Sequence, residues 1–174
     1  MHQFFCSLAR ICAVINARIG TAMAWLTLAT VLLMCLNVAL RYAFNVGAAW
    51  QIELVLAIHA ATFLATMGYT LQAGEQVRVD VFYAGFSNRK KALVDLIGTI
   101  TLLFPVCFAL IYYSWGFVHS SWQLYEASSE YNGLQGIFLL KSFLLIGPAL
   151  LMLQGIAVIA ESAKTLTQQK ALHD

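Results

Sequence analysis

The sequence predicts an all-α integral membrane protein with about four transmembrane helices, and three observations carry that prediction. The 174 residues are 61% hydrophobic and only 10% charged, against roughly 25% charged in soluble domains. Four long stretches contain no Asp, Glu, Lys or Arg, and the basic residues crowd onto alternate loops. So apolar a chain cannot cover its surface with polar groups in water. Inside lipid, only helices and closed barrels satisfy every backbone N–H and C=O. A barrel would read as short segments of alternating hydrophobicity, and none is visible, so helices remain.

The elements follow in chain order. The opening segment, about Phe4 to Ala17, mixes apolar residues with Arg10 and Asn16 and reads as a short interfacial helix before the first span. The first span is Ile19–Leu40. It outruns the roughly 7–15 apolar residues of a signal peptide and no small-residue cleavage site follows before Arg41, so it is expected to be retained. The second span is Leu54–Ala73, where Ala57, Ala61, Ala65 and Gly68 mark a close-packed face. The third charge-free run, Leu96–Tyr125, exceeds what roughly 30 Å of hydrocarbon requires, so the span itself is placed at 96–119. The fourth is Ser142–Ala160, and residues 161–174 form a polar tail expected to fray. The whole chain, 1–174, reads as one membrane domain.

Local signals refine this outline. Pro105 and Pro148 fall inside spans three and four and should kink them; such kinks mark binding sites in transporters but are also common in passive membrane helices. In the central loop, Asp80 can cap a short turn carrying Val81, Phe82, Tyr83 and Phe86, which would sit at headgroup depth. Ser87 or Asn88 can then cap the third span, with Arg89, Lys90 and Lys91 facing anionic lipid. Trp25, Trp50, Trp115 and Trp122 are candidate interface anchors. Cys6, Cys12, Cys35 and Cys107 show no CxxC spacing and read as small apolar fillers.

Orientation comes from the loops. Arg10, Arg18, Arg78, Arg89, Lys90, Lys91, Lys164 and Lys170 belong to one set, and only Arg41 and Lys141 to the other. The positive-inside rule puts the larger set in the cytoplasm, so both termini are expected inside. The net charge of +2 is no argument for nucleic acid, and no such partner is expected.

Few residues offer chemistry. Arg41 closes span one and Glu53 opens span two, both at the hydrocarbon edge where an unpaired charge is costly. They read either as solvated interface charges or as a pair that closes the hairpin or meets another protein. Lys141 begins span four, where the helix dipole disfavours a cation. It should pair with Glu126, with Glu130 or with a carboxylate on a partner, unless it snorkels into water. His59 and His119 share a plausible depth for two haem ligands, although hydrogen-bonded histidines at helix contacts explain them more simply. No nucleophile–base pair, phosphate loop or metal spacing is present, so no enzyme activity, metal or cofactor is expected. Asn37 and the span threonines suit helix–helix hydrogen bonds better than an ion path. The alternatives are a haem- or quinone-linked electron carrier and a stand-alone small transporter. Four spans without intramembrane charge fit a supporting subunit better.

Several motifs in order carry a family resemblance. Arg41-Tyr42, Trp50-x-x-Glu53, Gly68-Tyr69, Gly74 and Val77-Arg78-Val79-Asp80 are followed by Trp122, Glu126, Ser128, Gly133-Leu134, Lys141 and Leu150-Leu151-x-Leu153-Gln154-Gly155. From about Leu36 to Ala157 the chain resembles the small membrane subunit of tripartite ATP-independent periplasmic (TRAP) transporters. Glu75 stands where that family often has His, and Gln135 where Pro commonly follows Gly-Leu.

The resemblance implies a role and partners. In such systems a soluble periplasmic protein captures an organic acid, and a large membrane subunit carries it inward with sodium by an elevator-type movement. The small subunit braces the large one within the bacterial inner membrane and holds no substrate. Arg41, Tyr42, Trp50, Glu53, Arg78, Asp80, Glu126 and Lys141 are then expected to be structural or interface residues, with lipid around them.

Overall fold

The computed structural model describes residues 2–76 and 85–171. Its helices are α1 (His2–Ala43), α2 (Ala49–Ala73), α3 (Asn88–Gly98), α4 (Phe104–Gln123) and α5 (Ile137–Ala171). A π-helical segment, Thr99–Leu103, joins α3 to α4. Four continuous helices are long and apolar enough to cross a membrane: Arg10–Ala43, Ala49–Ala73, Asn88–Gln123 and Ile137–Gln168. The chain is therefore an all-α, multi-pass membrane protein.

Two boundaries depart from the sequence reading. No break separates the opening segment from the first span, because α1 runs unbroken from His2. The segment contains neither Pro nor Gly to interrupt it. The expected frayed tail is also helical as far as Ala171, since Glu161–Ala171 holds good helix formers and no breaker. The capped turn expected from Asp80 to Tyr83 lies outside the described residues, as do Arg78 and Asp80.

Local chemistry sets the other ends. Gly74 stops α2 in a left-handed conformation (φ 73°), its N–H reaching the Leu71 carbonyl while Glu75 N–H reaches Thr70. Only glycine takes this φ without a Cβ penalty, and the pattern satisfies carbonyls that the helix end would orphan. Ser87 is the residue before α3; its extended backbone and the Lys91 N–H bond to its carbonyl open the helix. Pro105 offers no N–H, and its ring crowds the carbonyl four residues back. The turn before it widens accordingly, with Phe104 N–H bonding the Thr99 carbonyl. The expected disturbance at Pro105 thus takes the form of a π turn. Pro148 sits inside the continuous α5.

α5 is the hub. It packs against α1, α2, α3, the π segment and α4, while α1 and α2 also pack on each other. Small residues permit this. Val55, Thr62, Ala65 and Gly68 form the buried stripe of α2. A Cβ on Gly68 would lie 2.8 Å from the Leu150 carbonyl oxygen and would strike the Asn16 amide. A Cβ on Gly147 would lie 2.9 Å from the Leu64 carbonyl oxygen. Close backbone approach of this kind is how helices associate where lipid removes the hydrophobic drive. The expected face of span two is therefore present at Ala65 and Gly68, with Ala57 and Ala61 half-buried beside it.

At the same crossing, Asn16 is buried and donates its amide N–H to Gln154 Oε1 at 3.1 Å and to the Leu150 carbonyl at 3.5 Å. Asn16 therefore belongs to the packed interior and not to an interfacial helix. Cys12 and Cys107 are buried fillers, whereas Cys35 is exposed.

Candidate functional site

Glu53, Glu126 and Lys141 gather at the end of the bundle holding the α1–α2 turn and the α4–α5 loop. α2 begins at Ala49, and Ala48 N–H bonds back to Gln51 Oε1 at 3.1 Å. This fixes the first turn and aims Glu53 across the bundle. Its carboxylate accepts the Ser128 hydroxyl on one oxygen and the Leu134 backbone N–H, at 2.6 Å, on the other. Trp50 N–H adds a 3.3 Å bond to the Asn132 carbonyl. The start of α2 is thereby stitched to residues 128–134.

The loop is internally bonded as well. Ser128 N–H reaches the Leu134 carbonyl at 2.8 Å, Gly133 N–H reaches Glu130, and Glu130 N–H reaches Ser128 Oγ at 3.1 Å. Tyr125 and Asn132 take positive φ values of 45° and 58°. Such a φ is strained for a tyrosine and indicates that the surroundings hold it in place. Ser128 connects both systems, since its hydroxyl donates to Glu53 and accepts from Glu130.

A second tie joins the loop to α5. Lys141 is ion-paired with Glu126, and its ammonium also lies 3.9 Å from the centre of the Phe117 ring. The hydrogen bond from Lys141 holds the Glu126 carboxyl below its ordinary range. The cation at the start of α5, which its helix dipole disfavours, is thus compensated by an anion and an aromatic face. Nearby, Trp122 Nε1 donates to Ser142 Oγ at 2.8 Å and its ring meets Phe138 edge-to-face at 4.9 Å.

These contacts sort the sequence-predicted residues. Lys141 finds Glu126 and not Glu130. Glu53 does not pair with Arg41, because its two oxygens are engaged by Ser128 and Leu134. Arg41, Tyr42 and Trp50 are exposed at the same end. His59 and His119 both occupy exposed positions. Among the described residues, no group of three His, Cys, Asp or Glu side chains is placed to hold a metal. At the opposite end, a polar cleft of about 420 Å³ lies between α2, α3 and α5, edged by Gln72, Lys91, Asp95, Gln154 and Glu161.

Sequence reasoning missed two parts of this arrangement. The Asn16–Gln154 pair had a readable signal, two amides in apolar helices, since an amide in hydrocarbon calls for a partner. The Leu134 N–H had none, because a backbone donor carries no mark in sequence.

The family model described as "Tripartite ATP-independent periplasmic transporters, DctQ component" matches residues 30–165. The chain belongs to this family. The match covers α2 to α4 entirely, together with the second part of α1 and most of α5, and so includes both ties of the loop. DctQ is a transporter component and not an enzyme family. Comparison with curated proteins gave no match, and comparison with solved structures gave none.

Proposed function

We propose that this DctQ-family chain is a non-transporting scaffold subunit that braces the large membrane subunit of a TRAP transporter. That subunit would carry an organic acid, delivered by a periplasmic binding protein, inward with sodium. The setting is the bacterial inner membrane, with both termini and residues 74–88 in the cytoplasm and the Glu53–Glu126–Lys141 end facing the periplasm.

One observation carries the reading. Among the described residues, the buried polar side chains are Asn16, Thr62, Thr99, Ser121, Gln154 and Ser162, and none is charged. Ion and proton pathways through membranes rely on ionisable residues facing the bundle interior. Here Glu53, Glu126 and Lys141 lie at one end and tie the loop after α4 to α2 and α5, as a fixed brace requires.

The test compares uptake in cells with the large subunit alone, with this chain alone, and with both, each beside the binding protein. Uptake only when both are present supports the proposal. Full uptake by the large subunit alone, or flux in liposomes holding this chain alone, overturns it.

A further inference from the structure

We propose that the polar cleft between α2, α3 and α5 holds the headgroup of a phosphatidylethanolamine. The phosphate sits against the start of α3 and the Ser162 hydroxyl, and the ammonium against Glu161. The inference requires only that the chain lies in a bilayer, so it stands or falls apart from the scaffold reading.

The cleft, about 420 Å³, is within the roughly 300–1,000 Å³ of small-molecule sites. Two of its lining side chains are more than nine-tenths buried and have unused hydrogen-bonding capacity. Ser162 is 7% exposed, and among the described residues its hydroxyl has no partner. Thr165 and Thr167 of the same helix instead bond back to the carbonyls of Glu161 and Ala163. Gln154 is 5% exposed. Its Oε1 accepts from Asn16, while its amide N–H groups meet no acceptor among the described residues. Buried donors left unpaired are costly, and here both line one opening.

The start of α3 adds further donors. Ser87 makes no side-chain cap bond, and Asn88 lines the cleft. The first N–H groups of this helix are therefore open to an anion, which the helix dipole also favours. Glu161 supplies the opposite sign. It is exposed at the rim, and among the described residues its carboxylate has no ion pair. Lys91 and Asp95, also in the lining, contribute one charge of each sign. Such a site suits a zwitterion better than a bare anion. An ethanolamine ammonium donates charge-assisted hydrogen bonds to a carboxylate, which the methylated nitrogen of choline does not.

Position selects a lipid as the source. The cleft lies at the bundle end where α2 stops at Gly74 and Arg89 and Lys90 are exposed at the start of a span. Basic residues at that place mark headgroup depth. α3 exposes Leu93, Val94 and Ile97 beside it, a surface along which acyl chains can run.

The test uses the purified full chain in nanodiscs with equal amounts of phosphatidylethanolamine, phosphatidylcholine and phosphatidylglycerol, read by native mass spectrometry. The expected result is one phosphatidylethanolamine retained per chain, several-fold above the other two lipids. Ser162→Ala and Glu161→Gln should each lower that adduct several-fold without loss of helix content, and Glu161→Lys should shift the preference to phosphatidylglycerol. Equal retention of the three lipids, an adduct unaltered by these substitutions, or displacement of the lipid by inorganic phosphate overturns the assignment. Loss of the adduct on binding of the large subunit also overturns it, by giving the cleft to that protein.

Discussion

The Glu53 carboxylate accepts the Leu134 backbone N–H at 2.6 Å across 81 residues of chain. It makes the first turns of α2 and the α4–α5 loop one unit, with Ser128 as the second contact. Glu53→Ala should leave two groups of the loop without their acceptor and free residues 128–134. Limited proteolysis should then cut this loop several-fold faster than in the unsubstituted protein, with Glu53→Gln intermediate because its remaining oxygen still accepts one bond.

The Lys141–Glu126 tie predicts a dependence on pH. Glu126 has a lowered carboxyl pKa, chiefly through its hydrogen bond from Lys141. A group whose folded pKa is depressed contributes stability above its ordinary value, and loses it as pH falls through the folded value. Thermal midpoints in detergent should therefore be insensitive to this pair near neutrality and fall once pH drops below the ordinary carboxyl range. Glu126→Gln should start lower at neutral pH and lose this component of the acid dependence.

Gly68 should tolerate no side chain. A Cβ there meets the Leu150 carbonyl oxygen, a backbone atom that cannot turn aside. Gly68→Ala should cost about 1–3 kcal/mol by overpacking, read as a lower thermal midpoint. Gly98 makes a control, since a Cβ there meets nothing within 4 Å. Gly98→Ala should be neutral or stabilising by up to about 1 kcal/mol, because alanine is the better helix former.

Asn16 and Gln154 should be energetically coupled. In a double-mutant cycle with alanine at both positions, the interaction should be about 0.6–1.7 kcal/mol, the range of hydrogen bonds between membrane helices. Loss of stability on Asn16→Ala that is unchanged when Gln154 is already alanine would show that the amides act separately.

Much of the fold was legible because lipid imposes simple rules. Charge-free runs gave the number of long apolar helices, four, and the pairing of Lys141 followed from a cation at a helix start with only two acids near it in sequence. The Arg41–Glu53 pair was plausible by proximity yet absent, because the loop after α4 competes for Glu53 with a hydroxyl and a backbone N–H. Asn16 was misplaced because neighbouring Arg10 gave its segment an interfacial look. Its partner lies 138 residues away, in α5, and nothing local points that far. The π turn shows a third limit: Pro105 announces that a helix must yield, but not whether it bends or widens.

The position of α5 as hub bears on biosynthesis. Every helix it touches precedes it in translation, so α1, α2 and α4 enter the bilayer before the surface that organises them exists. Until α5 arrives, Asn16 waits without Gln154, and Gly68 has Asn16 beside it but not the Leu150 turn. The α1–α2 pair can accordingly form early, while α4 gains its packing partner, and the bundle its resistance to quality-control proteases, only once α5 is inserted.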